Sequence, residues 1–113
     1  MQCEYFALEG ITLLLQTVQK VQKSINPNLV IGGIFFTMYD SRTNLSNQVV
    51  ENVKNYLDKD VYKTIIPRNV RLAEAPSYGL PGLIYDKSSK GAKAYQEFGA
   101  EFLKRMRKYK KAA

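Results

Sequence analysis

The chain has 113 residues, a length that suits one domain of modest size. It is 45% hydrophobic and 24% charged, which is the composition of a globular protein and not of a disordered one. It has one cysteine, Cys3, and no histidine, so an internal disulfide, a cysteine-rich zinc site and any imidazole-dependent mechanism are excluded. No apolar run approaches the roughly 20 residues that a bilayer span requires.

The positive charge is concentrated at the carboxyl end. Lys and Arg number 17 against 10 acidic residues, giving a net charge of +7. Six of those bases lie in residues 104–113, so the rest of the chain carries only +1. Two interpretations stay open for this basic tail. It is either a solvated helix end whose cations complement the helix dipole, or a segment that meets an acidic polymer or a membrane surface.

The first half of the chain predicts a helix followed by a buried strand. Apolar residues recur every three or four positions in residues 4–25, which is the spacing of an amphipathic helix, and Asn26 and Pro27 end it. Residues 29–38, LVIGGIFFTM, are almost continuously apolar and rich in β-branched and aromatic types. That pattern predicts a strand buried on both faces, as in a parallel sheet covered by helices.

The second half repeats this alternation. YDSRTN is a polar loop, and Ser41, Thr43 or Asn44 is expected to cap a second amphipathic helix. VYKTII, residues 61–66, is a second strand that Pro67 ends. Residues 67–87 hold three of the four prolines together with many apolar side chains, and this predicts an ordered functional loop. The last helix follows a cap at Ser88 or Ser89, and its predicted buried face comprises Ala92, Tyr95, Phe98, Phe102 and Met106.

The predicted fold class is therefore α/β, a parallel sheet with flanking helices. Two strands alone do not make a stable doubly wound sheet, and the strand expected before the first helix is represented only by residues 1–3. We expect an exposed sheet edge on that side, covered by a partner chain or by upstream sequence.

Motifs for catalysis are missing from the printed sequence. It contains no GxxxxGK[ST] phosphate loop and no GxGxxG fingerprint. Glu97 and Glu101 lie one turn apart on the last helix, and we interpret both as solvated acids. What remains are two polar loops at the carboxyl ends of neighbouring strands, where open α/β sheets bind their ligands.

Four strings in order, QCEYFALEG, TMYDSRTNL, VYKTIIPRNVRLAEAPSYG and IYDKSSKGAKAY, closely resemble the carboxyl-terminal half of ParA/Soj-type partition ATPases. That family is of the deviant Walker A P-loop class and is related to MinD. The resemblance extends from Gln2 to about Leu103. It implies that residues 1–103 are the carboxyl-terminal part of a P-loop ATPase domain and that residues 104–113 are a basic tail.

The resemblance implies a role in chromosome or plasmid partitioning. Its members bind ATP and Mg²⁺, form sandwich homodimers, bind nucleoid DNA without sequence preference and respond to a ParB-type partner. The expected location is therefore cytoplasmic and nucleoid-associated. The family's Walker A lysines and Walker B acid lie upstream of QCEY, so we expect this chain to be a truncated fragment that holds no metal and does not hydrolyse ATP alone.

The resemblance also assigns residues. Thr37, Met38, Pro67 and Asn69 are expected to border the adenosine of the nucleotide, and no catalytic residue is assigned. Arg42 and Arg71 match arginines that contact DNA. Lys87, Lys90 and Lys93 are candidates for widening that basic surface, whereas Arg68 is ambiguous between the nucleotide side and the DNA side.

An alternative from another functional class stays open. The chain would then be a freestanding, non-catalytic DNA-binding or assembly module that retains Arg42, Arg71 and the basic tail. An ATP-independent, salt-sensitive response to duplex DNA would favour that alternative.

Overall fold

A computed structural model describes the backbone of residues 1–112 and the side chains of residues 1–108. Two strands, β1 (Ile34–Tyr39) and β2 (Val61–Pro67), lie side by side and run parallel. The helices are α1 (Ala7–Ser24), α2 (Asn44–Leu57), α3 (Val70–Glu74), α4 (Gly82–Tyr85) and α5 (Lys90–Ala112), with 3₁₀ turns at Asp58–Asp60 and Ala75–Tyr78. The predicted α/β class with parallel strands and flanking helices is confirmed.

Residues 1–3 run beside β1 and form an isolated parallel bridge to it, next to the two-stranded sheet. Gln2 pairs with Thr37 in parallel. The Cys3 amide donates to the Thr37 carbonyl at 3.0 Å, and the Thr37 amide donates to the Met1 carbonyl at 2.8 Å. The short segment MQC therefore takes the position that the alternation of strands and helices predicts for it.

Helices cover both faces of the strands. Side chains alternate along β1, so Ile34 and Phe36 face one layer and Phe35 faces the other. Phe36 is fully buried among Val49, Val50 and Val53 of α2. On the opposite face the Phe35 ring stacks on Phe98 of α5, with 4.1 Å between ring centroids. These two layers supply the apolar burial that holds the parallel pair together.

The first strand begins later than the sequence predicts. Residues 29–33 form no regular structure, and β1 starts at Ile34. Gly33 has a φ of +156°, and the Tyr62 ring packs against its backbone where a Cβ atom would otherwise stand. The apolar character of residues 29–33 therefore reflects contact with α1 and not strand pairing: Leu29 and Ile31 are half-buried, and this stretch lines a cavity of about 200 Å³ against Ile11, Leu14, Leu15 and Val18.

Both strands are irregular. Ile34 pairs with Val61 and Phe36 pairs with Ile65. Between these two pairings β1 therefore advances two residues while β2 advances four. Consecutive amides in a regular strand point to opposite sides. Here the amides of Lys63 and Thr64 both donate to the carboxylate of Glu101, at 2.7 and 2.8 Å. The α5 carboxylate thus holds the bulge in β2.

The interpretation of Glu101 as a solvated acid was wrong. Its side chain is 21% exposed and also accepts a hydrogen bond from the Thr64 hydroxyl at 2.7 Å. Burial raises the pKa of Glu101. The hydrogen bonds from the Thr64 hydroxyl and from the two amides lower it by more, so the net pKa lies below its ordinary value. Glu97, one turn earlier, is exposed as expected.

The last helix starts at the predicted cap, because the Ser89 hydroxyl accepts a hydrogen bond from the Ala92 amide at 3.2 Å. Its buried face differs in part from the prediction. Ala92 and Ala94 are buried and Phe98 is half-buried, whereas Tyr95 and Phe102 are 38% and 41% exposed. Small residues, not the large aromatic ones, allow the start of α5 to approach the rest of the domain.

The helix α5 continues through residue 103 without a break. Arg105 donates to the carbonyls of Asp60 and Val61 at 3.2 and 2.6 Å, and its guanidinium lies 3.9 Å from the centroid of the Tyr62 ring. This basic residue is therefore packed against the start of β2. The side chains of Lys110 and Lys111 lie outside the described residues. Both interpretations of the basic tail, a solvated helix end and a segment that meets an acidic polymer or a membrane surface, stay predictions.

Across residues 1–112, no helix is both long enough and apolar enough to cross a lipid bilayer.

Candidate nucleotide and DNA-contact site

The loops that follow β1 and β2 are joined by their backbones. Tyr39 at the end of β1 pairs with Pro67 at the end of β2. The amide of Arg68 then donates to the Tyr39 carbonyl at 2.8 Å. The two polar loops therefore start from one edge of the sheet, as the parallel topology requires.

The four residues expected at the adenosine rim flank this junction. Thr37 and Met38 precede Tyr39, and Pro67 lies opposite it in the sheet. Asn69 follows Pro67 by two residues. All four side chains are half-buried, so each is partly covered and partly accessible to a ligand.

The polar groups of this rim are partly engaged. The Thr37 hydroxyl donates to the Met1 carbonyl at 3.4 Å. The Asn69 carbonyl oxygen caps α3 by accepting from the Leu72 amide at 3.4 Å. An asparagine amide nitrogen carries two donors, and the cap uses only the oxygen. The cap therefore leaves the amide donors of Asn69 for a ligand.

Met38 has an unusual backbone. Its φ is +54°, in the left-handed region that residues other than glycine seldom adopt. Between the Phe36 and Tyr39 pairings, β1 advances three residues while β2 advances two. The extra residue and the left-handed φ together form a bulge, a feature that recurs beside ligand sites because it redirects a side chain.

A wide groove lies elsewhere, away from the rim. This groove of about 730 Å³ lies between residues 1–7, α1 and the start of β1, and it is lined mainly by apolar groups such as Tyr5, Phe6 and Leu14. None of the four rim residues lines it. The groove therefore presents mainly apolar surface, whereas the four rim residues combine apolar groups with polar ones.

Arg42 is exposed and held by one carboxylate. Its side chain is 86% exposed. Its Nε and Nη2 atoms donate to the two carboxylate oxygens of Asp40, each at 3.0 Å. The hydrogen bonds from the Arg42 side chain and backbone lower the pKa of Asp40, so this aspartate is fully ionised at neutral pH.

Arg71 is also exposed but is held by two carboxylates. Its Nη1 lies 3.3 Å from Glu74 and its Nε lies 3.3 Å from Asp86, while 55% of the side chain is exposed. The Tyr85 hydroxyl donates to Glu74 at 2.8 Å. The neighbouring Tyr85, Glu74 and Asp86 raise the pKa of Arg71. This small network connects α3 with α4.

Sequence reasoning missed these acidic partners. Arg68 likewise pairs with Glu4, at 3.3 Å. Asp40 could have been found from the sequence, because an aspartate two residues before an arginine in a turn commonly accepts from the backbone. Asp86 could not have been found in this way, because it is distant from Arg71 along the chain.

Segment 67–87, predicted as a loop, contains α3 and α4. Lys87, Lys90 and Lys93 are exposed, as a wider basic surface would require.

Comparison with known proteins agrees with the resemblance to ParA/Soj-type proteins that the sequence motifs indicate. A family model described as "CobQ/CobB/MinD/ParA nucleotide binding domain" matches residues 4–82. The chain is 57% identical over 105 residues to the chromosome-partitioning ATPase Soj of Treponema pallidum, and 56% identical over 100 residues to the sporulation initiation inhibitor protein Soj of Bacillus subtilis. It is 50% identical over 105 residues to the chromosome partitioning protein ParA of Myxococcus xanthus.

These alignments cover most of this chain but a minor part of each relative. They include 93%, 88% and 93% of the residues here, and 42%, 40% and 37% of the three relatives in turn. The chain therefore spans about two fifths of the length of the curated relatives it matches.

Proposed function

The chain belongs to the CobQ/CobB/MinD/ParA family of nucleotide-binding domains, and we propose that it acts as part of a chromosome- or plasmid-partitioning ATPase. In this proposal the loops after β1 and β2 form the base-side rim of an ATP site, and Arg42 and Arg71 contact the DNA backbone. The observation that carries the proposal is the hydrogen bond from the Arg68 amide to the Tyr39 carbonyl, which joins the two loops at one sheet edge.

The rim has suitable chemistry for an adenine base. Met38 and Pro67 present half-buried apolar surface, which suits the flat face of a purine. The Asn69 amide nitrogen offers donors to acceptor atoms on the ring edge. Nucleotide phosphates and Mg²⁺ would be held by other parts of the intact ATPase, because no phosphate-loop string occurs in residues 1–113.

Methionine methyl groups provide a direct test of the rim. The chain contains three methionines, so ¹³C-methyl labelling gives three signals, from Met1, Met38 and Met106. We expect adenosine to shift the Met38 signal at millimolar concentration and to leave Met106, on α5, unchanged. Guanosine and uridine serve as matched ligands. Equal responses of Met38 and Met106, or none to adenosine, would contradict the assignment of the rim.

The proposed DNA contact is electrostatic and carries no sequence preference. Phosphate groups are recognised by exposed guanidinium groups, and Arg42 is the most exposed of the loop arginines at 86%, against 59% for Arg68 and 55% for Arg71. Arg71 has two carboxylates beside it, so it contributes less to phosphate attraction than Arg42 does.

A salt titration with labelled duplex DNA tests this contact. We expect weak binding that is detectable at low ionic strength and has the same strength for unrelated sequences. Arg42→Ala should reduce the slope of log K against log salt by about 0.9, the value for one lost phosphate contact. Lys20→Ala, an exposed charge on α1, is the matched control. The slope of Lys20→Ala should stay that of the unchanged chain, and a similar slope for Arg42→Ala would refute the assignment.

The wider role follows from the same proposal. Two of the relatives are named for chromosome partitioning, and one of these two is named an ATPase. For this chain we propose DNA, a ParB-type protein and a second copy as partners, in the cytoplasm at the nucleoid. ATP and Mg²⁺ are the proposed cofactors of the intact protein. A phosphate-release assay on residues 1–113 should show no ATP hydrolysis above the buffer blank, and measurable turnover would contradict this division of labour.

A further inference from the structure

The contact between Arg42 and Asp40 uses one particular edge of the guanidinium. The Nε and Nη2 atoms each donate to a different carboxylate oxygen at 3.0 Å. This is a two-point ion pair on the side of the guanidinium plane that carries Nε. A two-point contact fixes both the position and the plane of the group, which a single ion pair does not.

The opposite edge stays open. A guanidinium has five N–H donors in a rigid fork, and Asp40 uses two of them. The remaining three are both N–H bonds of Nη1 and one of Nη2. One bond from each of these two nitrogens points away from the rest of the side chain, and those two bonds form the end of the fork. Because 86% of the side chain is exposed, this end can accept a phosphate while Asp40 remains bound.

Asp40 itself is fixed by the fold. Its side chain is only 20% exposed. Its amide donates to the Ser46 hydroxyl at 3.2 Å, and its carbonyl accepts from the Thr43 amide at 3.1 Å. Its Oδ1 also accepts from the Arg42 amide at 3.0 Å. Thr43 and Ser46, at the start of α2, therefore hold the backbone that carries this carboxylate.

We propose that Asp40 is a positioning residue that holds Arg42 with the end of its guanidinium free for a DNA phosphate. This inference rests on the proposed function, since it explains how one of the two DNA-contacting arginines is presented. An exposed arginine otherwise samples many rotamers, and fixing it at contact costs side-chain entropy. The ion pair with Asp40 already restricts Arg42 in the folded chain, so less side-chain entropy is lost when Arg42 contacts DNA.

Arg71 provides a contrast within the same chain. Its Nε and Nη1 atoms face two different carboxylates, Asp86 and Glu74. Neither carboxylate takes two donors of the guanidinium, so Arg71 lacks the two-point ion pair that fixes the plane of Arg42. Two carboxylates, and not one, compete with a phosphate for the donors of Arg71. Arg42→Ala should therefore cost more duplex affinity than Arg71→Ala.

A double-mutant cycle distinguishes positioning from competition. We compare the unchanged chain, Asp40→Asn, Arg42→Ala and the double variant for binding to labelled duplex at low salt. Glu51→Gln, an exposed acid on α2, controls for the general effect of losing a negative charge. Far-ultraviolet circular dichroism and urea unfolding of each variant confirm that it is folded under the binding conditions.

The sign of the coupling gives the answer. We expect Arg42→Ala to weaken binding about tenfold in the unchanged chain, and threefold or less when Asp40→Asn is also present, since an unheld arginine contributes less. An equal loss in both backgrounds would overturn positioning. A larger loss beside Asp40→Asn would overturn it too, and would instead identify Asp40 as a competitor of phosphate.

A DNA-free readout separates the inference from the proposed function. The ¹⁵N NMR signal of the Arg42 Nε–H should be protected from exchange, and Asp40→Asn, but not Glu51→Gln, should remove that protection. Protection of the Nε–H without any duplex binding would refute the proposed DNA contact. It would still support the conclusion that Asp40 fixes the guanidinium of Arg42. Duplex binding that depends on Arg42, with no protection of its Nε–H, would refute the positioning role alone.

Discussion

Replacing Glu101 with alanine is expected to destabilise the domain by about 2–3 kcal/mol. The carboxylate accepts three hydrogen bonds, from the amides of Lys63 and Thr64 and from the Thr64 hydroxyl. Lys63 is exposed, so water can replace its bond at little cost. The two bonds from half-buried Thr64 are each worth about 1 kcal/mol, and the 3.9 Å contact with Arg105 adds less than about 1 kcal/mol.

Glu97→Ala is the matched control for this change. It lies one turn earlier on α5 and is exposed, so its loss should change stability by no more than about 0.5 kcal/mol. Urea unfolding followed by circular dichroism gives both values. If Glu101→Ala and Glu97→Ala have equal unfolding free energies, then the bulge in β2 does not depend on the carboxylate and the reasoning fails.

The same carboxylate predicts how stability depends on pH. The folded-state pKa of Glu101 is lowered from its ordinary value of 4.5. Its contribution is therefore complete above about pH 4.5 and is lost as the pH falls through the lower folded-state pKa. Glu101→Gln should flatten that part of the pH profile relative to the unchanged chain. An unaltered profile would show that other carboxyl groups cause the loss of stability in acid.

Two further predictions concern glycine packing and the single thiol. Gly33→Ala should destabilise the domain by about 1–3 kcal/mol, because the new methyl group overlaps the Tyr62 ring. The matched control is Gly32→Ala, which has open space around the new methyl group and should change the unfolding free energy by less than about 0.5 kcal/mol. Similar values for the two variants would contradict the close packing at Gly33. Cys3 is buried, and this burial raises the pKa of its thiol. Ellman's reagent should therefore label Cys3 at least about tenfold more slowly in the native chain than in urea. Equal labelling rates would show that residues 1–3 do not stay beside β1.

Local sequence signals predicted the elements well wherever neighbours along the chain determine the structure. The Thr43 hydroxyl caps α2 by accepting from the Ser46 amide at 3.3 Å, and Ser89 caps α5. Both contacts span three residues, so a sequence pattern contains all the information they need. The exposure of Arg42 follows in the same way from a polar loop.

Contacts between distant residues could not be predicted in this way. Glu97 and Glu101 have the same spacing, helix and charge, yet only Glu101 meets β2, 37 residues away along the chain. The interpretation of both as solvated acids treated them alike because nothing local separates them. The late start of β1 has a similar cause, since the Tyr62 ring occupies the space beside Gly33.

The amino-acid sequence by itself determined the alternation of helices and strands, the caps, the polar loops and the likeness to partition ATPases, because periodicity and short motifs are local properties. Tertiary structure alone decided which carboxylates meet which donors. It brings Glu101 to the amides of β2 and places Asp86 beside Arg71. Such pairings depend on how α5 and α4 pack against the sheet and against α3, and packing of this kind is not encoded in any short stretch of residues.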